Sequence, residues 1–145
     1  METEGCELDP HPARNQLMKF SHSFCVQSYD IDEHNHVNNV AYLRWIQDVA
    51  VAHWQNAATR ELQSTYTWFV LRHEIDYKQR AFLGDVISAE TWVGKATKVK
   101  CERFTKVTRS GDLLVAGLST WCLLNTDSNR PTRITDELRT LFGMT

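Results

Sequence analysis

A dense cluster of polar side chains lies in one short segment of the N-terminal third of the chain. It holds carboxylates, imidazoles and amides: Asp30, Asp32, Glu33, His34, Asn35, His36, Asn38 and Asn39. Helical spacing of apolar residues begins directly after it, which predicts a loop leading into a helix N-terminus. The free N–H groups of a helix start stabilise negative charge, and a nearby carboxylate activates water or attacks directly. This combination favours acyl transfer.

Other roles are open to the same residues. Asp32, His34 and His36 alternate along the chain, and all three are metal-binding types. A catalytic zinc site has a clear third ligand and supporting partners, which the sequence does not identify, so we expect no metal and no organic cofactor. Asp32 is also a candidate for an Asx turn or helix cap, and His36 for a hydrogen-bond partner that fixes the loop.

The elements that must position this loop follow from hydrophobic periodicity. Residues 19–29 alternate as a strand, and the spacing of Tyr42, Trp45, Ile46, Val49 and His53 predicts a buried helix from Asn39 to about Asn56. Strand patterns follow over residues 67–78, 85–93, 98–109 and 113–125, and a short helix over residues 136–142. One long helix against about five antiparallel strands indicates an α+β fold.

Composition restricts the class of protein. The 145 residues are 42% hydrophobic and 23% charged, which suits one globular domain, and the net charge of −2 gives no footprint for nucleic acid. No apolar run is long enough to span a membrane. We predict a flexible arm over residues 1–16 and a domain over 17–145. Four cysteines without C-x-x-C spacing suggest free thiols in a reducing compartment, so we predict a cytoplasmic protein.

The loop and the helix start together resemble a family motif. Residues 30–45, DIDEHNHVNNVAYLRW, resemble the D-x-D-x-x-G-H-V-N-N-x-x-Y-L-x-W signature of hotdog-fold acyl-CoA thioesterases of the 4-hydroxybenzoyl-CoA thioesterase-like group. They also look like the H-V-N-N-V-x-Y segment of fatty acyl-ACP thioesterases, whose substrates are carried by the acyl carrier protein (ACP). Residues 73–77, 84–85, 110–116 and 130–134 agree with later parts of the family, so the resemblance covers about residues 19–142.

The resemblance implies a hotdog fold, in which a curved antiparallel sheet wraps around a long central helix. It implies that Asp32 is the catalytic base or nucleophile and that the backbone N–H near Asn39 polarises the thioester carbonyl. It also implies sites between subunits, and therefore a homodimer or a homotetramer. Asn35 replaces the usual glycine, and asparagine is the next most tolerant residue where φ is positive.

Further residues are assigned by the same comparison. His36 matches the histidine of the D-x-N-x-H motif of acyl-ACP relatives, whereas His34 stands where their asparagine would be. We expect Asn38 at the helix start, and Tyr42 and Trp45 on its stripe, to contact the substrate. Lys98 belongs to a basic stretch that either contacts CoA phosphates or forms a solvated edge: Lys95, Lys98, Lys100, Arg103 and Lys106. Asp48, within the helix, is an alternative catalytic carboxylate.

We therefore predict hydrolysis of an acyl-CoA thioester to a free carboxylic acid and CoA. The alternatives are an acyl-ACP thioesterase and a non-catalytic acyl-CoA-binding module. A hydratase or dehydratase of the same fold is disfavoured, because those relatives have four residues between aspartate and histidine, whereas Asp32 and His36 have three.

Overall fold

The computed structural model describes residues 18–145, so the predicted arm over residues 1–16 lies outside the described residues. The elements are β1 (Phe20–Cys25), α1 (Asn39–Ala57), α2 (Arg60–Thr65), β2 (Tyr66–Tyr77), β3 (Val86–Ala96), β4 (Lys100–Arg109), β5 (Asp112–Asn125) and α3 (Asp136–Phe142). The five strands form one antiparallel sheet in the order β1-β3-β4-β5-β2. This is the predicted α+β hotdog architecture.

Helix α1 packs across the sheet through the predicted apolar stripe. Tyr42, Trp45, Ile46 and Val49 are each at most 3% exposed. The helix approaches β5 closely at Gly117, where an added Cβ would lie 3.2 Å from Ile46 Cδ1. Burial of this stripe stabilises the fold by roughly 1.5–3 kcal/mol for each large side chain, and it fixes the position of the helix start.

The strand and turn predictions are close to the observed elements, although β3 runs to Ala96 and not to residue 93. Two larger differences concern β1 and α2. The first strand ends at Cys25 and not near residue 29, because a one-turn 3-10 helix over Ser28–Asp30 follows it. Helix α2 was not predicted, although Thr59 caps it by accepting a hydrogen bond from the Leu62 N–H at 3.2 Å. Its six residues are too short to show a periodic pattern.

The cysteines differ in part from the sequence-based prediction. Cys101 and Cys122 are free and buried as expected, and burial raises the pKa of the Cys101 thiol to about 11. Cys25, however, is in a disulfide bond, and such a pairing cannot be read from spacing alone. The cysteines therefore do not indicate a reducing compartment, and cytoplasmic localisation stays a prediction.

The outer edge of β2 pairs with no other strand among residues 18–145, because β2 is the last strand of the sheet. Phe69 and Leu71 on this strand are 56% and 46% exposed. A long edge strand with exposed apolar side chains can pair with a second sheet. Each end of β2 lies beside one end of α1. The Tyr77 hydroxyl lies 3.5 Å from the Asn39 carbonyl at the start of the helix, and Trp68 packs edge-to-face on Trp54 near its other end.

Candidate active site at the start of the long helix

The loop that holds Asp32 is closed by backbone contacts. Ile31 and Val37 form an isolated antiparallel bridge, and the Asp32 N–H donates to the His36 carbonyl at 2.8 Å. Asn35 has φ of 64°, as predicted from its place in the motif. A side chain tolerant of positive φ thus lets the chain turn sharply between Asp32 and the helix.

The Asp32 carboxylate is fixed by the same loop. Its Oδ1 accepts hydrogen bonds from the His34 N–H at 2.8 Å and the His36 N–H at 3.1 Å. Its Oδ2 accepts no hydrogen bond from residues 18–145, and 29% of the side chain is exposed. One oxygen is therefore held by the loop and the other is open to a water molecule or a substrate.

The protonation state of Asp32 suits a base or nucleophile. Its partial burial raises the pKa, but the His36 and His34 N–H groups lower it, and the result is a pKa below the usual aspartate value. Asp32 is therefore ionised near neutral pH.

The start of α1 has a backbone donor that no described residue accepts. Asn38 is the N-cap, and its side-chain oxygen accepts the Val40 N–H at 3.0 Å, while its carbonyl accepts the Ala41 N–H at 2.8 Å. The Asn39 N–H has no acceptor among residues 18–145. Since helix starts carry partial positive charge, this N–H is suited to polarise a carbonyl oxygen.

His36 links the loop to residues that the sequence did not single out. Its Nε2 accepts a hydrogen bond from Arg80 Nη1 at 3.1 Å, and its ring contacts Phe82 edge-to-face. Its Nδ1 lies 3.9 Å from Asp32 Oδ1, too far for a hydrogen bond. Arg80 follows β2 and is not part of a recognisable motif. Its position beside the loop is therefore set by the fold and not by its place in the sequence.

Asp30 has a structural position, although it is in the same cluster. It is 2% exposed, pairs with Arg44 of α1 and accepts the Gln27 N–H at 2.9 Å. Its carbonyl also accepts the Asn38 N–H at 2.8 Å. Asp30 therefore anchors the loop to the helix and leaves Asp32 as the available carboxylate.

The remaining candidates lie in different places. Tyr42 and Trp45 are buried in the core, where the Tyr42 hydroxyl accepts the Ala81 N–H at 2.8 Å. Asp48 is exposed on α1, away from the loop. Lys98 is exposed between β3 and β4, at the opposite end of the sheet from Asp32. A single chain therefore brings together Asp32, His36, Asn38 and Asn39, but not Lys98.

A cavity of about 180 Å³ lies near the other end of α1. Its lining is mainly apolar and aromatic and includes Ala50, Val51, Trp54, Trp68, Trp121 and Phe142. Ala50 comes eleven residues after Asn39, so the cavity lies roughly 15–20 Å along the helix from its start. Within one chain, the cavity and the Asp32 loop are therefore separate.

Arg103 also lines this cavity, which corrects its assignment to the basic surface stretch. It is 7% exposed, because it lies on the helix-facing side of β4. Its Nη1 donates to His53 Nδ1 at 2.9 Å and to Thr91 Oγ1 at 3.1 Å. Burial, aided by the Arg103 charge, lowers the pKa of His53 to about 3, so His53 is a neutral acceptor.

Two further properties concern only the part of the chain that the structure describes, residues 18–145. No group of three or more His, Cys, Asp or Glu side chains is placed to hold a metal ion there. No helix there has the length and apolar character needed to cross a membrane.

Known structures show the same fold. The Staphylococcus aureus protein SAV2348, whose structure was determined in complex with CoA, aligns with a TM-score of 0.77 at 21% identity, covering 86% of this chain and 82% of that one. The 12:0-ACP thioesterase from Umbellularia californica aligns with a TM-score of 0.73 at 23% identity, covering 87% of this chain and 50% of that one.

The sequence comparisons give the family. The chloroplastic palmitoyl-acyl carrier protein thioesterase of Gossypium hirsutum is 27% identical over 131 residues, covering 83% of this chain. The chain spans only 32% of the length of that relative. Residues 17–142 match the family described as the acyl-ACP thioesterase N-terminal domain, which confirms the predicted relationship to hotdog thioesterases. The chain therefore belongs to the acyl-ACP thioesterase N-terminal domain family.

Proposed function

We propose that the protein hydrolyses an acyl-CoA thioester to a free carboxylic acid and CoA. The observation that carries this proposal is the pairing of two reactive features at the start of α1. The Asp32 carboxylate has one oxygen without a partner among residues 18–145, and the Asn39 N–H has no acceptor there. A base and an oxyanion donor on one short loop are the minimum machinery for acyl transfer to water.

The reaction follows from this geometry. The thioester carbonyl oxygen accepts a hydrogen bond from the Asn39 N–H, which stabilises the charge that develops when the carbonyl is attacked. Asp32 takes a proton from water as the water oxygen bonds to the carbonyl carbon, and CoA leaves as its thiolate. In the alternative course, Asp32 Oδ2 attacks directly and water then hydrolyses the anhydride. His36 holds the loop beside the Arg80 charge.

A homodimer through β2 brings the cavity to this machinery. The Tyr77 end of β2 lies beside the helix start, and the Thr67–Trp68 end lies beside the cavity. Two β2 edges paired antiparallel about a twofold axis would place the Tyr77 end of each subunit beside the Thr67 end of its partner. Asp32 of one subunit would then act on a thioester whose acyl group occupies the cavity of the other.

The carrier of the acyl group is the finer part of this proposal. The matched family and the relative from Gossypium hirsutum are named for acyl-ACP substrates. The structure of the similar Staphylococcus aureus protein, in contrast, was determined in complex with CoA. We favour CoA because residues 30–45 resemble the acyl-CoA thioesterase signature, whereas His34 stands where acyl-ACP relatives have an asparagine. Acyl-ACP hydrolysis is the second candidate, and the third is a binding module that releases no thiol.

The test is release of free thiol from matched acyl-CoA and acyl-ACP substrates by the full chain. We expect CoA release to be faster than ACP release for the same acyl group. Faster release from acyl-ACP would overturn the choice of carrier but support hydrolysis. Binding of acyl-CoA without thiol release from either carrier would overturn the proposed activity.

A further inference from the structure

The charged group in the cavity has no counter-charge among the residues that the structure describes. Arg103 is the one charged residue of the described lining, and no carboxylate among residues 18–145 forms an ion pair with it. Both of its hydrogen bonds to described residues use Nη1, so Nε and Nη2 donate to none of them. A buried guanidinium has five donors and is costly to leave unpaired, so these groups can bind an added acceptor strongly.

Trp121 is a neighbour of Arg103 in the lining of the cavity. Trp121 is 9% exposed, and its indole Nε1–H is buried without a partner among the described residues. Trp121 stands on β5 and Arg103 on β4, and these neighbouring strands pair Arg103 with Ser119, two residues before Trp121. The two side chains therefore lie on the same face of the sheet and line the same cavity.

We propose that the cavity selects acyl groups that end in a carboxylate, with Arg103 as the group that binds it. The proposal rests on the proposed hydrolysis and names its substrate class: the monothioester of a dicarboxylic acid. A carboxylate supplies both the missing counter-charge and several acceptor oxygens, which a purely hydrocarbon chain cannot. The aromatic walls from Trp54, Trp68 and Phe142 pack against the intervening methylene groups.

The size of the cavity limits the length of the acyl group. An engineered cavity of about 150 Å³ holds one benzene molecule, and this one has a comparable volume of about 180 Å³. A compact chain with a terminal carboxylate matches that volume.

The experiment compares acyl-CoA pairs that match in length when one oxygen of the terminal carboxylate is counted as the last chain atom, and that differ only at that end. Glutaryl-CoA is paired with hexanoyl-CoA, adipoyl-CoA with heptanoyl-CoA, and suberoyl-CoA with nonanoyl-CoA. For at least one pair we expect kcat/KM to be about tenfold to a hundredfold higher for the dicarboxylic member, the range of a hydrogen bond to a charged group. Higher values for the monocarboxylic member of every pair would overturn the inference.

A variant assigns the preference to Arg103. Arg103→Met keeps a long side chain and removes the charge, and we expect it to lower the dicarboxylic-to-monocarboxylic ratio of kcat/KM by about the same factor. A structural role alone would lower both rates together and leave the ratio unchanged, which would contradict the inference. If this variant does not fold, the substrate pairs on the wild-type protein still decide.

A binding readout separates this inference from the proposed activity. Glutarate, adipate and suberate are titrated into the wild-type protein and the tryptophan fluorescence is followed, with hexanoate, heptanoate and nonanoate as controls. Tighter binding of a diacid without any thioester hydrolysis would support the carboxylate site and overturn the proposed activity. Hydrolysis of monocarboxylic acyl-CoA with no preference for any diacid would support the proposed activity and overturn the carboxylate site.

Discussion

The two ends of helix α1 differ in how their functional groups are held. At the start, Asp32 is fixed by N–H groups two and four residues away, and Asn38 caps the helix by contacts within three residues. At the other end, the cavity takes its walls from α1, β2, β3, β4, β5 and the C-terminal segment. Reactive groups built from local contacts can be predicted from one segment, whereas a binding cavity built from six segments cannot.

The largest expected effect is on kcat and comes from a change at the start of α1, where we place the chemistry, and not at the cavity, where we place acyl binding. Asp32→Asn keeps the shape of the side chain but removes the base, so we expect kcat to fall by about 10²–10⁴ with little change in KM. Glu33→Gln, on the exposed neighbour, is the matched control and is expected to leave kcat unchanged. Near-normal kcat for Asp32→Asn would remove Asp32 from the mechanism.

A change at the cavity should affect KM more than kcat. Val51 is 47% exposed and lines the cavity, so Val51→Trp is expected to fill the cavity without overpacking the core. We expect kcat/KM to fall by about tenfold or more, mainly through KM, because acyl binding is lost. Val51→Ala leaves the cavity open and is the control. An unchanged KM for Val51→Trp in steady-state assays would show that the acyl group binds elsewhere.

We expect His53, which lies beside Arg103 near the cavity, to make the free energy of unfolding depend on pH. His53 has a pKa of about 3 in the folded chain against about 6.5 when unfolded. The unfolded chain therefore binds more protons between these values, so the contribution of His53 is complete above pH 6.5 and is lost as the pH falls towards 3. The slope is at most about 1.4 kcal/mol per pH unit.

The variant His53→Gln tests this contribution, because it keeps an acceptor for Arg103 and cannot titrate. Urea unfolding of this variant between pH 4 and pH 7 should show a shallower dependence of the free energy of unfolding on pH than in the wild type. Equal slopes for wild type and His53→Gln would show that His53 is not held neutral.

The smallest expected effect concerns the helix start. Asn38→Ala removes the cap that binds the Val40 N–H, and we expect the free energy of unfolding to fall by about 1 kcal/mol. Asn56→Ala, near the other end of the same helix, removes no cap and should not lower stability. Urea unfolding curves measure both, and equal losses for the two variants would contradict the capping role.

The elements were predictable where a periodic pattern or a capping residue marks them. The stripe of Tyr42, Trp45 and Val49 predicted α1 almost to its ends, and Asn35 at positive φ agreed with the family motif. The strands were found because apolar and polar residues alternate along them. The disulfide of Cys25 and the short helix α2 were not predicted. Cysteine spacing alone does not identify a disulfide, and six residues are too few to show helical periodicity.

The candidate site was predictable only in its local part. Asp32, His36, Asn38 and Asn39 are adjacent in the chain, so one loop brings them together. Arg80 and Arg103 reach their positions through the sheet, and Arg103 was assigned to the surface because basic residues surround it in sequence. Only its register on β4 shows that it faces the helix.

The central claim is that Asp32 of one subunit acts on an acyl group held in the cavity of the other. Mixing Asp32→Asn with Val51→Trp tests it most directly, because each variant alone lacks one half of the site. Random subunit exchange would give half mixed dimers, each with one intact site, so about a quarter of the wild-type rate should return. The rates are compared with substrate well below the wild-type KM, where Val51→Trp alone should keep at most about a tenth of the wild-type rate. A mixture that is no more active than its components under these conditions would contradict the claim.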